Sequence, residues 1–297
     1  MTSTVTANSP QTRAPAQALP VNWWSRAWST VIIGFMTLFL FNVAMMIVSV
    51  GTNSIAKRWF GTWLPDGFTF DWYAAAWKEF QLGDVLIVTI EVVAFVVFLA
   101  LLIGVPAAYA MARRDFRGKR WLMGLFLLPL MVPPITYGIP LATLMYKMQL
   151  AGTLYGVVMA NLLPALPFVI LVMTPFIEQI DPNLESAARV FGARTFQMFR
   201  YILVPLLGPG ILAAALLVLV RTIAMFELTF MTAGSDTQTL VVALYYSVFA
   251  AGVRAPQSID AMAMVYMTVT LVFLIIAMRF VSPTQLVSRV REHPQGT

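Results

Sequence analysis

The side chains able to do chemistry in this chain are few, and their positions are unusual. Glu91, Arg221 and Glu227 are ionisable groups set inside long apolar runs. An unpaired charge in hydrocarbon is costly, so such groups face a partner or a water-filled path. A helix rises ~1.5 Å per residue, so with outer ends near Val85 and Met231 the depths are ~9 Å for Glu91, ~15 Å for Arg221 and ~6 Å for Glu227. Those depths predict a buried Glu91–Arg221 ion pair and place Glu227 at the mouth of a pathway. Tyr137 and Asn161 stand among prolines in two further apolar runs. They either line the same pathway or satisfy carbonyls that the prolines free. The single histidine is His293 and there is no cysteine, which argues against His- or Cys-based catalysis, a metal site and thiol redox chemistry. A G-x-x-x-x-G-K-[ST] phosphate loop is also missing from the sequence, so the chain is expected to bind no nucleotide and no other cofactor itself.

A second cluster lies between two apolar runs, in IEQIDPNLESAARVFGARTFQMFRYILVPLLGPG (177–210). Asp181 followed by Pro182 predicts a helix start, with Asp capping free N–H groups and Pro at the first helical position. Leu184, Ala187, Ala188 and Phe191 fall at i, i+3, i+4 and i+7, one apolar stripe on a short helix. Asn183, Glu185 and Arg189 lie away from its centre. Gly192 ends the helix and turns the chain. A second stretch from Thr195 leads to Pro205. The stripe needs a burial partner, either a groove on another protein or the chain's own bundle and the lipid interface.

The elements that position these residues follow from composition. Of 297 residues, 60% are hydrophobic and 11% charged, and the net charge is +6. A soluble domain carries about 25% charge, so the chain is expected to be an all-α integral membrane protein. The charge lies in short segments between apolar runs, which points to membrane orientation and not to nucleic acid. About 20 apolar residues cross a bilayer. Runs at 30–50, 85–111, 121–146, 153–177, 206–231 and 260–280 give six predicted transmembrane helices. One side of that arrangement collects Arg13 and Arg26, the loop from Arg113 to Arg120, then Arg189, Arg194, Arg200, Arg279, Arg289 and Arg291. The other has Lys57, Arg58, Lys78, Lys147 and Arg254. The bias places both termini in the cytoplasm. Leu240 to Ala251 is too short to cross and is read as a short helix at the outer interface; the segment Phe68 to Phe80 is rich in aromatics and is also expected at the interface. Residues 1–28 are polar and rich in Pro, Ala and Thr. They are expected to be a disordered cytoplasmic segment with no cleavable signal peptide, with Trp23, Trp24 and Trp28 at the inner interface. Residues 29–84 then hold the first span and an outer segment, 85–280 a core of five spans with a connecting loop at 178–205, and 281–297 a cytoplasmic tail.

The loop resembles that of binding-protein-dependent ABC importer permeases, whose pattern is E-A-A, three residues, G, nine residues, I-x-L-P. Ala187 and Ala188 match the two alanines, Gly192 the glycine, Ile202 the isoleucine and Pro205 the proline. Ser186 stands at the family's Glu, with Glu185 one residue earlier, and Val204 replaces the Leu. PAAYAMARRDFRGKRW (106–121) and GTLYGVVMANLLPALPFVI (152–170) also resemble family segments. The resemblance implies that Glu185, Ser186, Ala187, Ala188, Arg189, Gly192, Arg194 and Pro205 belong to a coupling helix and its flanks, docked on a separate ATPase subunit that carries ATP and Mg. It further implies two ATPase copies, a second permease subunit, identical or paralogous, and an extracytoplasmic solute-binding protein. The chain itself is then not an enzyme.

The solute class stays open. AMFELTFMTAG (224–234) resembles polyamine- and opine-type permeases, while Glu227 resembles the acidic position of sugar-type permeases, although Val190-Phe191-Gly192 lacks their Ile-Asp-Gly. Two other functions compete: an ion-coupled secondary transporter working through Glu91 or Glu227, and a non-transporting membrane scaffold. The loop pattern favours the importer, and the lack of an internal repeat argues against the secondary transporter.

Overall fold

The computed structural model of the chain describes residues 23–59, 62–249 and 254–280. Among them the architecture is helical, with one isolated antiparallel bridge between Ala56 and Phe68. Most of residues 1–28, and all of the tail 281–297, lie outside the described residues. The chain divides into two compact units, residues 1–49 and 50–297.

The first unit holds most of α1 (Trp23–Ile55). Phe35, Leu38, Phe39 and Phe41 are all exposed along it, which marks a helix apolar all round and suited to lipid.

The second unit is built on α3 (Leu82–Arg113), α6 (Leu154–Glu178) and α9 (Val204–Ile223). Small residues let these helices approach closely, as membrane packing requires. Ala100, Gly104 and Ala108 form a buried stripe at intervals of four on α3. A Cβ on Gly104 would stand 2.7 Å from Val169 Cγ1 of α6. On α9, a Cβ on Gly210 would stand 2.8 Å from the ring of Phe176. The core between them holds Val96, Val105, Val157, Val169, Met173 and Leu207.

Among the described residues, five helices are long and apolar enough to cross a membrane, and a sixth crossing results if one bent pair is taken together. That pair corrects the predicted continuous span 121–146. It consists of α4 (Lys119–Met131) and α5 (Pro134–Lys147), bent by 99°. The cause is the Pro133-Pro134 pair. Val132 and Pro133 are extended, with ψ of 134° each, because a residue before proline is driven out of the helical region. Pro134 then starts α5, where its missing N–H costs nothing. Single prolines at 106, 129, 140, 164, 167 and 209 leave their helices intact.

The predicted span 206–231 is corrected in the same way. Its helix begins at α8 (Thr195–Met198) and runs through a π-helical turn (Phe199–Leu203) into α9. Pro205 cannot donate to the carbonyl four residues back, and the wider turn lies just before it. α9 stops at Ile223, and a separate α10 (Glu227–Thr232) follows. At the end away from the arginine-rich loops, α2 (Asp71–Glu79), α11 (Leu240–Phe249) and the start of α12 (Pro256–Phe280) pack around Ala76, Leu82, Leu240 and Met262. The short helix predicted from Leu240 is therefore present, and the aromatic segment from Phe68 also contains one, α2. Arg254 ties this end together. Its Nε donates to Glu79 at 3.0 Å, and its guanidinium lies 5.5 Å over the Phe80 ring.

Candidate functional site

The 177–210 loop folds as its residues require. Asp181 Oδ1 accepts from the Asn183 N–H at 2.9 Å, and Pro182 opens α7 (Pro182–Val190). Gly192 has φ +82°, the left-handed turn that ends the helix. No heavy atom lies within 4 Å of a Cβ built there, so the glycine serves the backbone conformation alone. The Arg194 N–H donates to Gln197 Oε1 at 2.9 Å, closing the start of α8. Ser186 Oγ donates back to the Pro182 carbonyl at 3.3 Å.

The face that α7 turns inward differs from the predicted stripe. Ala188 is buried, and so is Glu185, at 7% exposure. Leu184 and Ala187 are exposed, as are Val190 at 85% and Phe191 at 91%. The stripe is therefore split. Ala188 packs into the chain's own core with Met198 and Leu203, while Leu184, Ala187 and Phe191 face outward. Glu185, read as lying away from the centre of the stripe, is held by α3. Arg113 Nε donates to its Oε1 at 2.7 Å, and the Tyr109 hydroxyl donates to its Oε2 at 2.6 Å. A buried carboxylate needs such partners. Arg189 stays exposed.

Of the second group of predicted residues, all but Glu91 gather around the two helix interruptions. Glu91 is exposed on α3, and Arg221 is half-buried in the last turn of α9. Among the described residues the ion pairs are Arg113–Glu185, Lys119–Asp115 and Arg254–Glu79, so the predicted Glu91–Arg221 pair does not form. The reason is the break after Ile223. The helix ends there, well short of Met231, the outer end from which the depths are counted. Arg221 therefore stands at a helix end and not in mid-span, and its guanidinium lies 5.3 Å over the ring of Phe168.

Tyr137 of α5 lies within electrostatic reach of both Arg221 and Glu227, and its buried hydroxyl has no hydrogen-bond partner. Asn161 of α6 is buried. Its Nδ2 donates to the Val157 carbonyl at 2.9 Å and to Thr229 Oγ1 at 3.0 Å, while its Oδ1 is unpartnered. Glu227 is half-buried at the start of α10. Beside it the rings of Phe226, Phe230 and Tyr245 lie 4.9 to 5.2 Å apart.

The family described as the binding-protein-dependent transport system inner membrane component matches residues 100–292. The chain belongs to this family. The permease is 32% identical over 191 residues to the trehalose transport system permease protein SugB of Mycobacterium tuberculosis, covering 64% of this chain and 68% of SugB. It is 26% identical over 264 residues to the spermidine/putrescine transport system permease protein PotC of Shigella flexneri, covering 89% of this chain and 96% of PotC. Its fold matches a crystal structure of a bacterial ABC transporter involved in the import of the acidic polysaccharide alginate, with a TM-score of 0.73, 18% identity, and coverage of 91% of this chain and all of that one. The permease is thus a multi-pass inner-membrane subunit of a binding-protein-dependent ABC importer.

Sequence reasoning misses Tyr109 and Arg113 as partners of the loop. In the sequence Arg113 reads only as a topology charge. The available signal is the i, i+4 spacing of the two residues, which places them on one face of α3.

Proposed function

We propose that the permease forms half of a translocation pathway for a small polar solute and couples it to ATP hydrolysis on a separate subunit. In this reading both termini are cytoplasmic, and the 178–205 loop docks on the ATPase, which holds ATP and Mg. A complete importer has two ATPase copies, a second permease, identical or paralogous, and an extracytoplasmic solute-binding protein. The observation that carries the reading is α7. It is fixed to the bundle by Glu185 and Ala188 yet leaves Leu184, Ala187, Val190 and Phe191 uncovered. Apolar side chains on a helix at an aqueous surface fit a groove on a partner protein. Ser186, Arg189, Gly192, Arg194 and Pro205 set the helix and its exits.

Tyr137, Asn161, Arg221 and Glu227 form one wall of the pathway in this reading, and Glu91 faces away from the helices of this chain. Unpartnered buried oxygens on Tyr137 and Asn161 suit a polar solute or water. Aromatic rings beside the Glu227 carboxylate suit a sugar or polyol, or a polyamine- or opine-like cation. The importers named for trehalose and for spermidine/putrescine span the same two classes.

The absence of native cysteine makes the docking test direct. Phe191→Cys is placed in the assembled importer and labelled with a thiol-reactive reagent that carries a photoactivatable cross-linking group. Cross-linking to the ATPase subunit is expected. No cross-link from Phe191→Cys, with the ATPase still co-purifying, rejects α7 as its docking element.

A further inference from the structure

Resting on that reading, we propose that Arg113 and Tyr109 are positioning residues that make α7 and the adjacent end of α3 move as one body. The chain leaves α7 at both ends through turns, at Ile180–Asp181 and at Gly192 with φ +82°. Neither connection fixes the helix by itself. Three attachments do. Both oxygens of Glu185 are engaged, by Arg113 Nε at 2.7 Å and the Tyr109 hydroxyl at 2.6 Å. Arg113 Nη2 donates to the Ile180 carbonyl at 2.5 Å, so one guanidinium holds both the helix and the segment leading into it. Ala188, three residues after Glu185, packs into the core.

The clamp is shielded, with Arg113 and Glu185 side chains 13% and 9% exposed. A charge pair screened from water is much less weakened by salt than a surface pair. A planar guanidinium that spans two acceptors also fixes orientation, which a single contact does not. Tyr109 meets the ring of Phe199 edge-on at 6.1 Å, at the π-helical turn that leads into α9. A push on the exposed face of α7 therefore enters α3 directly through side chains, and not only through the loops to α6 and α9.

The test uses two spin labels in the full importer in lipid nanodiscs, at Asn183→Cys on α7 and Leu102→Cys on the exposed face of α3. Their separation is measured by pulsed electron resonance, nucleotide-free and trapped with ATP and vanadate. The clamp predicts one separation in both states, equal within about one helical rise, ~1.5 Å. A shift of about one helical turn, ~5.4 Å, overturns it. Glu185→Gln should broaden or displace the trapped-state distance. A narrow, wild-type distribution in Glu185→Gln overturns the role given to these residues. If Glu185→Gln does not assemble, Tyr109→Phe takes its place with the same two outcomes. The docking reading is judged separately by the Phe191→Cys cross-link. A cross-link with a moving distance rejects the clamp alone, and a constant distance without a cross-link rejects docking alone.

Discussion

Gly104→Ala tests the packing of the two helices at the centre of the second unit. The added Cβ would stand 2.7 Å from Val169 Cγ1 and 2.8 Å from Val169 Cβ. Ordinary carbon contacts are about 3.5–4.0 Å, so the new methyl is roughly 1 Å too close. Val169 cannot swing aside, because it is fully buried and a β-branched side chain in a helix has one strongly preferred rotamer. The helices must separate, and overpacking of this kind costs about 1–3 kcal/mol. Thermal unfolding in detergent should therefore show a clear loss of stability for Gly104→Ala. Val169→Ala removes the obstructing methyls, so the double variant should be more stable than the two single effects add up to. Wild-type stability for Gly104→Ala, or strict additivity in the cycle, would refute the close approach of α3 and α6.

Phe191→Ser should weaken ATPase binding without changing the stability of the free permease, because the ring is 91% exposed there. Full burial of such a side chain is worth about 1.5–3 kcal/mol, so affinity measured by titration should fall at least roughly tenfold. Ala188→Asp should instead lower the melting temperature of the permease itself, since a polar group buried without a partner costs about 1–3 kcal/mol; an unchanged melting temperature would contradict its place in the core. Gly192→Val should cost about 1–2 kcal/mol of backbone strain at its positive φ, read as a lower unfolding midpoint with membrane insertion intact.

The long apolar runs, the short helix from Leu240 and the Asp181–Gly192 helix are legible in the sequence because each depends on local residues. Hydrophobic length, an Asp-Pro start and a glycine stop act within a few residues of one another. Two other features are not legible. The stripe on α7 is a true periodicity, but periodicity cannot say which half of a stripe faces the chain's own core. Ala188 and Phe191 lie on the same stripe and have opposite fates. Glu185 resembles a surface charge because its partners, Tyr109 and Arg113, are more than seventy residues away in sequence. The Glu91–Arg221 pair fails for a related reason. Its depth argument requires an unbroken helix through Ala224, Met225 and Phe226, where the structure has none.

The two breaks that hydrophobic length conceals meet in space. α5 begins just after Pro133, and α10 begins just after Phe226. A Cβ on Gly138 of α5 would stand 2.9 Å from Met231 Sδ of α10, so the two short helices are in close contact. Tyr137, Leu141, Met225 and Leu228 share one apolar cluster with Ala160 of α6. Irregular backbone within a membrane is tolerated only where it is buried in protein or lines a water-filled cavity. Packing one interrupted span against another meets the first condition. It also places Tyr137, Asn161, Arg221 and Glu227 around the same layer, although they come from four different helices. Unbroken spans would keep their polar backbone groups bonded within each helix. The layer that these interrupted spans form also holds the unpartnered side-chain oxygens of Tyr137 and Asn161, the polar groups that the proposed solute pathway would use.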